Sequence, residues 1–351
     1  MSDRRDIVAV DLFCGVGGLT YGLERAGIQV RLAVDIDEDC EHPIESNTQA
    51  RFLREDVGRL AASTIRNVFD NAGISLLAGC APCQPFSTYS RGAKRLGRKR
   101  RGRGGAEDWN LVARFGELVR EAQPDLVTME NVPPLERHSS FADLIGCLKG
   151  YHLDHRIVEC RSIGLAQTRK RLVLVASKLG PIRVPELNRG QKTVRSEIGT
   201  LPVISAGGSD PSDRLHKASR LSAINLARIR ASTPGGTWRD WPVALRADCH
   251  VRDTGETFPS VYGRMVWDEP APTITTQCFG YGNGRFGHPE QDRAISLREA
   301  AMLQGFPREY SFIPDGEEPS FAKLGRLIGN AVPVTLGEVI GHLLAEHVEA
   351  L

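Results

Sequence analysis

The sequence predicts an α/β protein in which strands of a parallel sheet alternate with helices, together with a smaller and irregular second region. Short apolar runs at 7–12, 30–34 and 74–78 have the length and composition of buried strands, and a helical pattern at 19–26 separates the first two. After residue 177 the chain becomes rich in Gly, Pro, Ser and Arg, and the alternation stops. We therefore expect a large α/β domain and a smaller domain within the 351 residues.

The composition is that of a globular protein in water, with 41% hydrophobic and 25% charged residues and a formal net charge of +2. No apolar run approaches the ~20 residues of a membrane span, and the amino terminus carries no signal-peptide pattern. Eight cysteines without secretory features indicate free thiols in a reducing compartment. We expect a cytoplasmic protein without a membrane partner.

A glycine turn, Phe13-Cys14-Gly15-Val16-Gly17-Gly18, follows the first strand and precedes the first helix. Glycines in this position let the backbone approach a ligand at the amino end of a helix. The spacing differs from the G-x-G-x-x-G of pyrophosphate-binding turns, which argues against NAD or FAD. Asp35 ends the second strand, where an acid suits a ribose diol, although it could also be a plain loop acid. The pattern favours a nucleoside without a pyrophosphate, and S-adenosylmethionine fits.

A stiff turn follows the apolar run at 74–78. Cys83 lies there between Pro82 and Pro85, at the carboxyl end of the strand, where open parallel sheets bind ligands. A thiol held in this way is a candidate nucleophile. Cys80-x-x-Cys83 could instead be half of a zinc site or a redox pair, but the other cysteines form no second pair. We therefore predict no metal site, and for Cys80 we expect a buried structural role.

Glu130 follows a predicted strand at 125–129 and should lie at the same sheet edge as Cys83. A helix cap is the ordinary role for such a Glu, but beside a nucleophile it becomes a candidate acid for a heterocycle. Arg169 and Arg171 alternate along a segment that we interpret as extended, so their guanidinium groups should share a face. They could contact a base oxygen or phosphates, or belong to an exposed hairpin.

Two basic runs interrupt this pattern. Residues 88–105 contain eight Arg or Lys, residues 214–239 contain six, and neither run contains an acid. Such runs are often solvated faces or loops. Two of them, one directly after the candidate nucleophile, favour a phosphate backbone as partner.

Taken together, the motifs resemble those of the cytosine-5 DNA methyltransferases, in the family's order and over most of the chain. The matching segments are Asp11-Leu12-Phe13-Cys14-Gly15-Val16-Gly17-Gly18-Leu19, Gly79 through Ser87, Met129-Glu130-Asn131-Val132, Gln167-Thr168-Arg169-Lys170-Arg171, Pro272-Thr273-Ile274-Thr275 and Gly329-Asn330-Ala331-Val332-Pro333.

The resemblance implies a class I S-adenosylmethionine-dependent methyltransferase fold, which is Rossmann-like, with a doubly wound and mostly parallel sheet. It also implies a catalytic domain at 1–177 plus 294–351 and a target-recognition domain at 178–293. By the same carry-over, S-adenosylmethionine is bound by Phe13, Gly15, Val16, Gly17, Asp35, Ile36, Asp56, Val57, Asn330 and Val332.

The activity implied is methyl transfer to C5 of a cytosine that is flipped out of a specific short sequence in duplex DNA. Cys83 adds to C6, Glu130 binds the N3 edge, and Arg171 holds the O2 edge with Arg169 beside it. The implied partners are double-stranded DNA and a restriction endonuclease with the same site, for a bacterial protein that is monomeric on DNA. The expected DNA contacts are Gln84, Ser87, Arg91, Lys94, Arg95, Arg228, Arg230 and Arg239.

Two alternatives remain at this point. Cys278-Phe279-Gly280 resembles the Cys-Phe-Thr element of the tRNA-methylating branch, with Gly280 in place of Thr, so a tRNA cytosine-5 methyltransferase is the second hypothesis. Trp238 and Trp241, within and beside the second basic run, favour duplex DNA. The other alternative is a binding module that has lost catalysis, and it would be expected to lack the nucleophile or the acid, both of which are present.

Overall fold

The structure is a computed structural model that describes residues 6–82, 107–248, 250, 252 and 259–351, with backbone alone at 107–110. The chain forms two compact units. The first comprises Met1–Glu159, Lys170–Leu187 and Val334–Leu351, and the second comprises Cys160–Arg169 and Asn188–Pro333. Residues 294–333 thus group with the second unit, whereas the predicted catalytic domain begins again at 294. The functional division into domains stays a prediction.

The first unit is built on a seven-stranded sheet in the order β3-β2-β1-β4-β5-β7-β6. Its strands are β1 (Ile7–Leu12), β2 (Gln29–Asp35), β3 (Arg51–Arg54), β4 (Ile74–Gly79), β5 (Leu126–Asn131), β6 (His152–Glu159) and β7 (Lys170–Ser177). The first five strands pair in parallel, and β7 is antiparallel to both β5 and β6. The predicted fold class, a mostly parallel α/β sheet, is confirmed.

The described α-helices fall into both units. Those of the first unit are α1 (Gly18–Arg25), α2 (Glu41–Asn47), α3 (Ala62–Phe69), α4 (Glu107–Ala122), α5 (Ser139–Cys147) and α10 (Val334–Glu349). Those of the second are α6 (Val194–Ile198), α7 (Ala223–Arg230), α8 (Leu297–Leu303) and α9 (Phe321–Asn330), and the unit also contains the strand pair β8 (Ser209–Asp210) and β9 (Asp213–Lys217).

Burial on both faces explains why the central strands are continuous apolar runs. Every residue of β1, β4 and β5 is buried, as expected for parallel strands covered by helices on both sides. The sheet order turns back between β1 and β4, which are neighbours although β2 and β3 intervene in sequence. The carboxyl ends of β2, β1, β4 and β5 therefore meet at one edge, on either side of this switch point.

The second unit lacks a large sheet among its described residues and is held by buried arginines. The Arg293 side chain is fully buried and makes two 2.7 Å contacts with the carboxylate of Glu299, a residue of α8. Arg264 donates to the carbonyls of Ile229, in α7, and of His288. These guanidinium groups connect segments that are distant in sequence, and apolar side chains such as Ile229 and Ile274 are buried in the same unit.

The most apolar helical stretch of the described residues is Phe321–Glu349, which is long enough to cross a membrane by length and hydropathy alone. Of its most apolar window, 78% is buried inside the protein. The stretch therefore supplies core helices. Gly329 and Asn330, which begin the last of the matching segments, are the last residues of α9.

We expect Gly22→Ala to destabilise the chain by about 1–3 kcal/mol, because α1 packs directly on the backbone of α10. A Cβ at Gly22 would lie 2.6 Å from the carbonyl oxygen of Val334 and from the nitrogen of Glu338. Gly146, inside α5, has nothing within 4 Å of the same position. Gly146→Ala should therefore be neutral or stabilising, by at most about 1 kcal/mol. Urea unfolding measures both, and equal effects of the two substitutions would contradict the packing account.

Candidate active site

Four parallel strands deliver chemically useful groups to one edge of the sheet. The glycine turn follows β1, and Asp35 ends β2. Cys80 follows β4, and Glu130 is the second-to-last residue of β5. Gly79 of β4 is opposite Met129 of β5, which sets the next residues of the two strands side by side.

The glycine turn is held in an unusual backbone conformation. Phe13, Gly15 and Gly17 have φ angles of 60°, 52° and 84°, in the left-handed region that favours glycine. The Gly15 amide donates to Asp35 Oδ2 at 2.9 Å, and the Cys14 amide donates to the carbonyl of Val34 at 3.1 Å. A Cβ on Gly15 would meet nothing within 4 Å. Hydrogen bonds to β2 thus fix the turn, and the space beside Gly15 is open, so a ligand could approach the backbone there.

Asp11 is a functional candidate that the sequence reasoning missed. It lies inside β1, is fully buried, and its Oδ2 accepts a 2.6 Å hydrogen bond from the Thr20 hydroxyl. Its Oδ1 has no hydrogen-bond partner. Burial, and then the nearby charge of Asp35, raises the pKa of Asp11 to about 7. The signal in the sequence was an acid within an otherwise apolar central strand.

The other predicted cofactor residues of the first unit surround the turn. Asp35 accepts from the amide of Asp37 at 3.0 Å, and burial raises its pKa. The neighbouring Ile36 is 63% exposed, which is unusual for a large aliphatic side chain and leaves an apolar face uncovered. After β3, Asp56 accepts from the Gly58 amide at 2.9 Å, and Val57 is buried.

Glu130 is a carboxylate that the fold buries almost completely, at 2% exposure. Arg171 Nε lies 2.6 Å from its Oε1, and the Cys80 thiol donates to its Oε2 at 2.8 Å. Because β7 runs antiparallel to β5, the start of β7 lies beside the end of β5. That arrangement is what places Arg171 against Glu130. Asn131 donates to the carbonyl of Ala81 at 3.0 Å and ties the segment after β4 to β5.

Arg169 has different contacts from Arg171. It is buried in the second unit, where its guanidinium donates to the carbonyls of Ile274 at 2.9 Å and Gly329 at 3.3 Å. Gln167 beside it accepts from the Ile274 amide at 3.0 Å. These contacts join the segments around Ile274 and Gly329 within the second unit. The expectation that the guanidinium groups of Arg169 and Arg171 share a face stays a prediction.

The remaining predicted residues lie in the second unit or outside the described residues. Asn330 is exposed at the end of α9, and Val332 is buried. The predicted nucleophile and five of the predicted DNA contacts lie outside the described residues; they are Cys83, Gln84, Ser87, Arg91, Lys94 and Arg95.

Three predicted DNA-binding arginines are described. Arg228 is half-buried, donates to the Leu245 carbonyl at 2.8 Å and lies over the Tyr262 ring. Arg230 is exposed and pairs with Asp292 at 3.2 Å, and Arg239 is exposed. Of these three arginines, Arg230 and Arg239 are exposed to solvent and Arg228 is partly buried.

Trp238 and Trp241 are core residues of the second unit, at 3% and 2% exposure. Trp238 stacks on His250 with ring centroids 4.4 Å apart, and the Trp241 indole donates to the Ser232 hydroxyl at 2.9 Å. The expectation that these tryptophans favour DNA as partner is therefore not supported by their position.

No group of three or more His, Cys, Asp or Glu side chains that could hold a metal ion occurs in the part of the chain that the structure describes.

Comparison with known proteins identifies the class. Residues 7–346 match the family model of the C-5 cytosine-specific DNA methylases, and the chain belongs to this family. It is a DNA cytosine-5 methyltransferase.

Individual relatives agree. The chain is 47% identical to the Type II methylase M.HgiDII of Herpetosiphon aurantiacus, over 97% of this chain and 96% of that protein. It is 30% identical to the Type II methyltransferase M1.BsuMI of Bacillus subtilis, over 96% and 79% of the two chains. Among solved structures, a putative DNA modification methyltransferase encoded within an E. coli prophage matches with a TM-score of 0.72 and 22% identity, over 98% of this chain and 100% of that one.

We expect Arg171→Ala to destabilise the chain by about 3–5 kcal/mol, because it leaves the buried carboxylate of Glu130 without its cation. Arg156→Ala is the matched control in the adjacent strand β6. Arg156 pairs with Glu186 at 2.8 Å, but the side chains are 42% and 91% exposed. Its loss should cost under about 1 kcal/mol. Urea unfolding measures both variants. Similar losses of stability in the two would refute the role of Arg171 as the cation that stabilises the buried carboxylate of Glu130.

Asp11 should make stability depend on pH. Because its pKa is raised from 3.8 to about 7 on folding, the folded state binds the extra proton between these values. Its contribution to the free energy of unfolding therefore falls as pH rises through that window. The uncharged Asp11→Asn should gain stability over the parent by about 2–3 kcal/mol between pH 5 and pH 8.

The matched control is Asp143→Asn, on the exposed face of α5. The difference in free energy of unfolding between this variant and the parent protein, measured by urea unfolding, should be the same at pH 5 and at pH 8. A constant difference for Asp11→Asn as well would show that the carboxyl of Asp11 does not titrate in this range.

Proposed function

We propose that this methyltransferase transfers the methyl group of S-adenosylmethionine to C5 of a cytosine that is flipped out of a specific short duplex sequence, with Cys83 as nucleophile and Glu130 as acid. The observation that carries the proposal is the buried carboxylate of Glu130, paired with Arg171 at the end of β5. It lies beside Cys80, three residues before Cys83 in sequence.

The cofactor proposal is supported by the groups around the glycine turn. The open face above Gly15 suits close approach of a ligand. The exposed Ile36 offers an apolar surface for an adenine ring, and Asp35 beside it offers a carboxylate for a ribose. The buried Oδ1 of Asp11 lacks a partner and can accept from a cationic donor. When bound, S-adenosylmethionine supplies an electrophilic methyl group.

The chain's own residues then prepare the base. The Cys83 thiolate forms a bond to C6, and Glu130, which takes up a proton for this step, gives that proton to N3. The charge that the addition places on the ring is thereby neutralised. C5 becomes nucleophilic as a result. After methyl transfer a base takes the C5 proton. The electron pair of that bond re-forms the double bond between C5 and C6, and Cys83 leaves as a thiolate. In a stacked duplex the neighbouring bases cover the faces of C5 and C6, and N3 is occupied by base pairing, so the base must leave the helix.

Arg171 is proposed to hold Glu130 in place. Its Nε faces the Glu130 carboxylate, and its Nη1 donates to the carbonyl of Lys170 at 2.8 Å. A guanidinium fixed by two contacts keeps a positive charge beside the carboxylate as the base arrives. The O2 edge of the base remains a second proposed contact of Arg171, and Arg169 is proposed to support it by fixing the segments around Ile274.

The wider role follows from the relatives, which are named as Type II methylases. We propose that the protein acts in the cytoplasm of a bacterium, as a monomer on duplex DNA, and protects the sites of a restriction endonuclease. Arg230 and Arg239 are proposed phosphate contacts. A tRNA cytosine-5 methyltransferase stays the second hypothesis, and it depends on the Cys278-Phe279-Gly280 segment, in which Cys278 is fully buried.

We expect Cys83→Ala to abolish methyl transfer to DNA, because it removes the proposed nucleophile. DNA binding should remain within about threefold of the parent protein. Incorporation of labelled methyl groups into host DNA measures methyl transfer, and a gel-shift assay measures DNA binding. Cys147→Ala, in α5, is the control and should stay active. Methylation by the Cys83 variant would overturn the nucleophile assignment.

A further inference from the structure

The Glu130 carboxylate has two oxygens in different surroundings. Arg171 Nε lies 2.6 Å from Oε1, yet Oε1 has no hydrogen bond of acceptable geometry, so this contact is an ion pair without an aligned N–H. Oε2 accepts from the Cys80 thiol at 2.8 Å. Among the described side chains, the hydrogen bond that fixes the direction of this carboxylate therefore comes from Cys80.

Cys80 is itself held on both sides. Its amide donates to the carbonyl of Leu12 at the end of β1, at 3.2 Å. The carbonyl of the following Ala81 accepts from Asn131, the neighbour of Glu130, at 3.0 Å. The backbone before it is also fixed, because a Cβ on Gly79 would lie 2.9 Å from the Phe115 ring. Contacts with β1 and β5 on either side of the segment that follows β4 thus hold the Cys80 thiol beside Glu130.

We propose that Cys80 is a positioning residue for the methyl-transfer reaction: its thiol orients Glu130 before the cytosine arrives and then yields Oε2 to the base. The inference rests on the proposed function of Glu130. A carboxylate buried at 2% exposure needs a hydrogen-bond donor as well as a nearby cation, because burial removes the donors that water would supply. Cys80 supplies that donor while the site is empty.

The chemistry of sulfur suits this role. A thiol is a weak donor, whereas the exocyclic amino group of cytosine is a strong one. The base can therefore displace the thiol from Oε2 with a net gain in hydrogen bonding. A hydroxyl at the same position would still orient the carboxylate but would compete harder with the base. An aliphatic side chain would fill space and orient nothing.

The test is a comparison of three substitutions at one position. Cys80→Ala is smaller than Cys, Cys80→Val is larger, and neither can donate, whereas Cys80→Ser keeps a donor of similar size. We expect the Ala and Val variants to lose about tenfold in the single-turnover rate of methyl transfer. The Ser variant should stay within about threefold of the parent. Dissociation constants for DNA and S-adenosylmethionine should be unchanged in all three.

The outcomes separate the possibilities. Full activity of the Ala variant, or a Ser variant as slow as Ala, would overturn the role of the thiol as donor. Loss of rate only in variants that also lose thermal stability would make Cys80 a packing residue. The parent protein and Glu130→Gln are measured alongside. If the parent methylates no cytosine, the proposed function fails first, whereas an active parent with indifferent Cys80 variants rejects this inference alone.

Discussion

The carboxylate of Glu130, buried at the carboxyl end of a central strand, is the constraint on which the site depends. A charge removed from water at this depth is costly unless it is paired and hydrogen-bonded. The first unit meets the requirement with Arg171 on one oxygen and Cys80 on the other. Both partners lie at the edge of the sheet where β5 ends, so the surroundings of this carboxylate follow from strand order and direction.

Strand direction matters as much as strand order. In an all-parallel sheet the residue at the start of a strand lies at the edge opposite the ligand site. Here β7 is antiparallel to β5, and its first residues therefore reach the edge where β5 ends. One reversed strand allows an arginine to pair with the carboxylate of a parallel neighbour. The antiparallel strand is thus part of the site and not only of the scaffold.

The switch point between β1 and β4 divides the edge into two halves. On the β1 and β2 side lie the glycine turn, Asp35 and Ile36, which suit a nucleoside. On the β4 and β5 side lie Cys80 and Glu130, which suit a base. The proposed function would use this division to bind the two substrates of a transfer reaction at adjoining strands, the cofactor at the glycine turn and the base at the buried acid.

The sequence was informative where local chemistry decides structure. Central strands buried on both faces appear as apolar runs, so β1 and β4 were predicted nearly to the residue, and Glu130 was predicted at the correct edge. Contacts between distant segments were not predictable. Nothing local shows that Cys80 meets Glu130 or that Arg169 binds the carbonyl of Ile274. The second unit was least predictable, because buried paired arginines have no period in the sequence.

The most direct test of the account is bisulfite sequencing of the genome of a methylation-free bacterial host that expresses the protein. The account predicts protected cytosines within one short repeated sequence, and it predicts their loss when Glu130 is replaced by Gln. A soluble protein that protects no cytosine in DNA would contradict the central claim, and protection that survives the loss of Glu130 would contradict the role given to its buried carboxylate.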